Sequence, residues 1–475
     1  MVMGDLEQSS QVLVIGSGPG GYAAAFRAAD LGLEVTMVDP SPRPGGVCLY
    51  NGCIPAKSLL FLAQVMHDAK RVHKMGIAFD PPRIDLEAVR RWRAGIIDEL
   101  AENLAQLSQR RDIQLLNARA QFDGPRSMRL HGGEIRRIRF EHAIIATGAR
   151  PKPFPGTSFR SGSRIMDAAA ALEMTDIPQT LLIIGGGYVG LELGTIYATL
   201  GSRVSLVEMG DRLLPGVDRD LVAPLQQRLE TLFESIHLQG RTASLQESER
   251  GVTTLLEGAP EMHFERALVA IGNKPATEEL GLETAKVEID EKGFIRVDER
   301  QRTGADAIFA VGDVTGGPML AHRAARQGKV AAETIAGIPA AFDVHAIPLV
   351  VYTDPQIAWC GMTEETARAQ NRKVTVLRFP WRFSGRAATL GASEGLTKIM
   401  VDPLNGRIIG AGIVGRQAEA LIAEAVLAIE MGALAEDVAL SLHPNPTLSE
   451  TEAEAAELYL GSATHRIIQD QPEQS

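Results

Sequence analysis

Two of the chain's three cysteines, Cys48 and Cys53, stand close together in "GGVCLYNGCIPAKSLL" (residues 45–60). Thiols at this spacing can close a small disulfide ring if the chain bends inward between them. Cys53 precedes a stretch that reads as a helix, with Pro55 in its first turn, where a missing N–H costs little. A sulfur there feels the positive helix end and Lys57 one turn on, and both favour thiolate. Metal binding would take more ligands than this stretch supplies, and Cys360 is remote in sequence. No metal is expected, and a redox-active disulfide is the better reading. Cys360 itself, in "IAWCGMT", reads as a buried strand residue.

A second kind of chemistry is spelled twice. "QVLVIGSGPGGYAAAFRAADLGLEVTMVD" (11–39) reads strand, glycine turn, helix, strand, and "TLLIIGGGYVGLELGTIYATLGSRVSLVE" (180–208) repeats it. Each copy carries G-x-G-x-x-G: Gly16, Gly18 and Gly21, then Gly185, Gly187 and Gly190. Each closes its second strand on an acid eighteen residues past the last glycine, Asp39 and Glu208. The first glycine permits the tight turn, the second lets backbone approach a pyrophosphate, and the third packs helix on strand. The pyrophosphate then sits at a helix N-terminus, and the acid accepts from ribose hydroxyls. Glu208 would repel the 2′-phosphate of NADP, so NAD is expected at the second turn.

The elements that must position these residues follow from the same pattern. "HAIIATGARP", with Gly148, and "RALVAIGNKP", with Gly272, are apolar strands running into glycine turns, and "AIFAVGDV" (307–314) is a third. After "HAIPLVVYTDPQIAWCG" strand-like stretches such as "VTVLRFP" and "LTKIMVD" alternate with helical ones such as "EALIAEAVLAIEMG". The fold class is therefore α/β: two Rossmann-like nucleotide-binding domains and a C-terminal α+β domain. The expected boundaries are 1–150 and 276–345 for the first nucleotide domain in two parts, 151–275 for the second, and 346–475 for the last. "IIQDQPEQS" reads as a frayed tail.

The 475 residues suffice for several cores, and 45% apolar content is ordinary for a globular protein. A net charge of −11 argues against a general nucleic-acid or membrane-surface binder. No apolar run approaches a membrane span, and the first residues lack the regions of a secretory signal. Three cysteines make no secreted disulfide framework, so a cytoplasmic protein is expected.

In order, "GSGPGGYAAA", "GGVCLYNGCIPAK", "ATGARP", "GGGYVGLELG", "AVGDVTGGPMLAH" and "PTLSE" resemble the flavin-dependent pyridine nucleotide-disulfide oxidoreductases over almost the whole chain. Within that family the likeness is strongest to members that oxidise dihydrolipoyl groups on carrier proteins with NAD. The resemblance implies FAD at the first glycine turn, with Asp39 on its ribose, Asp313 on its ribityl chain and Ala321 in "MLAH" along the flavin. It implies NAD at the second turn, and an ion pair of Lys57 with Glu192 beside the flavin and nicotinamide. Cys48 would exchange with substrate and Cys53 contact the flavin. His322 is expected to pack near the flavin, not to act as a base.

The resemblance also implies a homodimer, in which a base histidine from one subunit, oriented by a glutamate, serves the disulfide of the other. Glu450 matches the glutamate, but the histidine position is Asn445, and neutral asparagine cannot accept a proton. His443, two positions upstream, is an alternative base; otherwise substrate thiols, water or Glu450 would carry the proton and turnover would be slow. Val47, Tyr50 and Asn51 also depart from the family pattern. The expected partner is a lipoyl carrier or a small disulfide. The competing readings are an NADH-dependent reductase of another disulfide and a catalytically weak flavoprotein subunit of a multienzyme complex.

Overall fold

The computed structural model describes residues 6–258 and 260–466; the expected tail 467–475 lies outside them. Leu6–Ile15 pairs in parallel with Val35–Asp39 on one side and with Ile135–Ile145 on the other. Gln114–Asn117 extends the sheet beyond Val35–Asp39, and Ile308–Ala310 lies beyond Ile135–Ile145. The first strand is longer than its apolar segment because its polar half continues the pairing with the 11-residue strand Ile135–Ile145. Val12, Leu13 and Val14 are fully buried, and each such side chain contributes about 1.5–3 kcal/mol of burial. Helix Pro19–Asp30 packs its alanines against helix Ala321–Ile335, where Gly328 and Gly20 allow close approach.

The second sheet repeats the arrangement. Thr180–Ile184 lies between Arg203–Val207 and Arg266–Val269, with Ser235–His237 and Ile165–Met166 outside them, all parallel. The chain ends running out of the two sheets then zip together, Ala149–Pro151 antiparallel to Asn273–Pro275. The third sheet is antiparallel, in the order Leu349–Val351, Gln356–Gly361, Ile408–Gly415, Leu396–Val401, Thr375–Pro380, and helix Ala418–Met431 packs on it. Cys360 sits there on a strand, fully buried, and burial pushes its thiol up to about 12.

One expectation is corrected. Residues Gly46–Met75 are long and apolar enough to cross a membrane by length and composition. Here the run is broken at Asn51 and Gly52, and Leu59, Leu60 and Ala63 of helix Cys53–Arg71 are buried in the protein interior. Among the described residues, one acidic group, Asp218, Asp220 and Glu364, converges closely enough to hold a cation. The buried Lys398 ammonium fills it, at 2.7, 2.7 and 3.0 Å from the three carboxylates. It ties the helix Arg219–Leu232 to the third sheet.

Candidate active site

Both glycine turns open on one cleft of about 2100 Å³, lined by Asp39, Cys48, Cys53, Lys57, Glu192, Glu208, Asp313 and Ala321, and by Gly148 and Gly272. At the first turn Gly16 has φ +98°, and a Cβ on Gly21 would meet the Gly16 carbonyl oxygen at 1.9 Å. At the second, Gly185 has φ +112°, and a Cβ on Gly190 would meet its carbonyl oxygen at 2.2 Å. Gly18 and Gly187 behave differently. Each is the N-cap of its helix with no side chain capping it, and a Cβ at Gly187 would project into open cleft. Free helix N–H groups facing an open cradle fit a pyrophosphate at each turn.

The two acids are held alike. Asp39 accepts from the Ser17 and Ser41 amides, both at 2.7 Å. Glu208 accepts from the Gly186 and Gly210 amides, both at 2.6 Å. Each carboxylate keeps lone pairs for ribose hydroxyls, since it has about four acceptor sites. The structure thus fits FAD and NAD at the two turns. Gly190→Ala is expected to weaken NADH binding about tenfold, because the added carbon would be caught between the Gly185 carbonyl and the Ile183 side chain. FAD content should stay at the wild-type level, since the first turn is untouched. NADH titration against flavin absorbance checks both.

The glycine pair ahead of the cysteines has a tertiary purpose. Gly45 N–H donates to the Ser17 carbonyl at 2.8 Å, and a Cβ on Gly46 would strike the Gly18 Cα at 2.5 Å. The cysteine segment is therefore stitched to the first turn. Cys48 lies in a helical turn, Gly46–Tyr50, and Cys53 begins the next helix. Both are free thiols here, and each acts on the other's ionisation. The Cys48 thiol lowers Cys53 to about 7; burial opposes it and Lys57 assists. Cys48 is pushed well up by Cys53, with burial adding to the effect.

Lys57 Nζ lies 2.8 Å from Glu192 Oε2, and Glu192 is 3% exposed, so this is no solvated helix face. Glu192 Oε1 accepts from the Tyr352 amide at 3.0 Å, and Lys57 Nζ sits 4.5 Å from the centre of the Tyr352 ring. Burial pushes the Asp313 carboxyl up, opposed by Arg323. His322 bonds the Pro348 carbonyl at 2.9 Å and burial lowers it. Tyr188 and Tyr352 escaped sequence reasoning. Tyr188 directly follows the Gly187 cap, a position that any Rossmann turn leaves open, and Tyr352 carries no local signal at all.

Asn445 and Glu450 do not line the cleft of their own chain. Asn445 Nδ2 donates to Glu450 Oε1 at 2.7 Å, and the Thr447 amide donates to Oε2 at 2.7 Å. Glu450 begins helix Glu450–Leu460, where negative charge suits the dipole. His443 faces the Ser441 carbonyl with Nδ1 (2.9 Å) and Glu424 with Nε2 (2.8 Å). As placed, both its ring nitrogens face acceptor oxygens, and no ring lone pair is presented to a substrate.

The profile of the family described as pyridine nucleotide-disulphide oxidoreductase matches residues 10–328, and that of the family's dimerisation domain matches residues 347–456. The chain is 42% identical to the dihydrolipoyl dehydrogenase of Vibrio parahaemolyticus over 463 residues, which cover 96% of this chain and 97% of that one. It is also 42% identical to the dihydrolipoyl dehydrogenase of Halobacterium salinarum over 475 residues, covering 98% and 100%. Among solved structures, the HOCl-induced flavoprotein disulfide reductase RclA from Escherichia coli is 26% identical, with a TM-score of 0.84 over 94% of this chain and 99% of that one. LpdA from Mycobacterium tuberculosis shares the fold, at 24% identity and a TM-score of 0.87 over 94% and 99%.

Proposed function

The chain belongs to the pyridine nucleotide-disulphide oxidoreductase family, and on that premise we propose that it oxidises dihydrolipoyl groups on a carrier protein, as a cytoplasmic homodimer. The observation that carries this reading is that Cys48 and Cys53 together line a cleft that opens on both glycine turns. FAD held at the first turn would supply a two-electron acceptor for the dithiol, and NAD held at the second would supply the final hydride acceptor. Gly18 and Gly187 with their helix starts would hold the pyrophosphates, while Asp39 and Glu208 would hold the ribose hydroxyls. Substrate thiolate attacks Cys48 of the disulfide, Cys53 leaves as thiolate, and the second substrate thiol then expels Cys48. Lys57 lowers Cys53 and so favours its leaving as thiolate. Lys57 holds positive charge beside it.

Asn445 is read as occupying the base position for the cysteines of a second copy. Leu427, Met431, Leu440 and Leu442 are all more than 60% exposed, and Leu442 stands three residues before Asn445. This apolar surface beside the Asn445 turn supports a dimer that buries it. Asn445 also favours a second reading, a flavoprotein that NADH reduces readily but that turns lipoyl groups over slowly or serves another disulfide. Anaerobic stopped-flow separates the two half-reactions. NADH is expected to reduce the flavin quickly and dihydrolipoamide slowly. Flavin that NADH cannot reduce sinks both readings, and a monomer in sedimentation sinks the assignment of Asn445.

A further inference from the structure

Lys57 leaves its helix one turn past Cys53 and on the same face. A lysine on a four-carbon stem at the edge of a wide cleft has many rotamers, and its charge acts on the cysteines only from some of them. One residue grips both halves of its ion pair. The Tyr352 ring lies under the Lys57 ammonium, 4.5 Å from centroid to Nζ, and the Tyr352 amide holds the other oxygen of Glu192 at 3.0 Å. Glu192 thereby uses both oxygens, one on Lys57 and one on Tyr352. Tyr352 follows the strand Leu349–Val351, so a third part of the chain reaches across to join the cysteine helix and the second nucleotide helix.

We propose that Tyr352 is a positioning residue: its ring face fixes the Lys57 cation beside the redox cysteines and so sets how readily Cys53 carries negative charge. The aromatic face is attractive to an ammonium, and more so where water is kept away. Besides Lys57, the groups that act on or with Cys53 are Cys48, Glu192 and the phenols Tyr22, Tyr188 and Tyr352, and none of these is cationic. Burial holds the Tyr352 phenol protonated, so it enters as a neutral ring. Without the ring, water reaches the ammonium, screening its field at Cys53 while the backbone amide still holds Glu192.

The readout is the pH at which Cys53 ionises, followed by ultraviolet thiolate absorbance in the FAD-loaded, reduced protein in a Cys48→Ser background. Tyr352→Phe keeps the ring and should ionise as the parent does. Tyr352→Leu should raise the midpoint by about half a pH unit. Mono-, di- and trifluorinated phenylalanine at this position withdraw charge from the ring face at nearly constant size, and the midpoint should climb with each fluorine. That series decides the matter even if the leucine variant does not fold. A flat series, or leucine matching phenylalanine, overturns the proposal. No lipoyl substrate enters the measurement, so its failure is distinct from a failure of the proposed function.

Discussion

Asn445→His is expected to speed dihydrolipoamide oxidation by about 10²–10⁴-fold, the usual contribution of a positioned acid–base group. Reduction of the flavin by NADH should be unchanged. The support for a histidine is already in place. Glu450 Oε1 takes the Asn445 amide at 2.7 Å, and its other oxygen is pinned by the Thr447 amide. An imidazole there can donate from Nδ1 to the same carboxylate oxygen, which leaves the Nε2 lone pair facing outward. Asparagine presents only a carbonyl oxygen in that direction, which accepts a hydrogen bond but not a proton. The variant's pH–rate profile should therefore gain a limb rising through the imidazole range, around pH 6.5, that the parent lacks. Fast dihydrolipoamide oxidation by the parent, with no gain from histidine, sinks the idea that position 445 is a vacated base.

His443 is the next residue to change in that event. Its surroundings argue that it contributes little as it stands. The ring is held between the Ser441 carbonyl and Glu424, and its side chain is only 8% exposed. To serve as a base it would have to leave Glu424 and free the Nε2 lone pair. His443→Gln should thus leave the slow parent rate where it is.

Several features of the site were legible in the sequence because their causes are local. Gly21 must be glycine because the Gly16 carbonyl lies 1.9 Å from where its Cβ would stand, a clash between residues five apart. The acids Asp39 and Glu208 were legible because a strand–helix–strand unit returns to the turn after a nearly fixed length. The glycine pair at 45–46 has no local reason, since it serves a contact with Gly18, a distant piece of backbone. No local pattern marks the helical turn carrying Cys48 either. The ribbon of Ala149–Pro151 with Asn273–Pro275 joins segments more than a hundred residues apart, and no periodicity announces it. Tyr352 is the extreme case. It meets Lys57 only because three sheets are assembled around one cleft.

Cys48→Ser is expected to lower dihydrolipoamide turnover by roughly 10⁴-fold or more, as removal of a nucleophile does elsewhere. FAD content and the NADH half-reaction should survive. The substitution alters little else: a hydroxyl, still a proton donor, replaces a thiol of similar shape. It cannot form a disulfide, so a substrate thiolate finds no sulfur to attack and Cys53 cannot be expelled. Cys48→Ala adds a distinction. The Cys48 thiol is the largest influence lowering Cys53 to about 7, ahead of Lys57. The alanine variant should therefore ionise Cys53 at higher pH than the serine variant, while both lose turnover. Equal ionisation in the two would remove that polar group from the account. Turnover persisting in either would mean that electrons reach the flavin without passing through the cysteine pair, and the disulfide mechanism would fall with it.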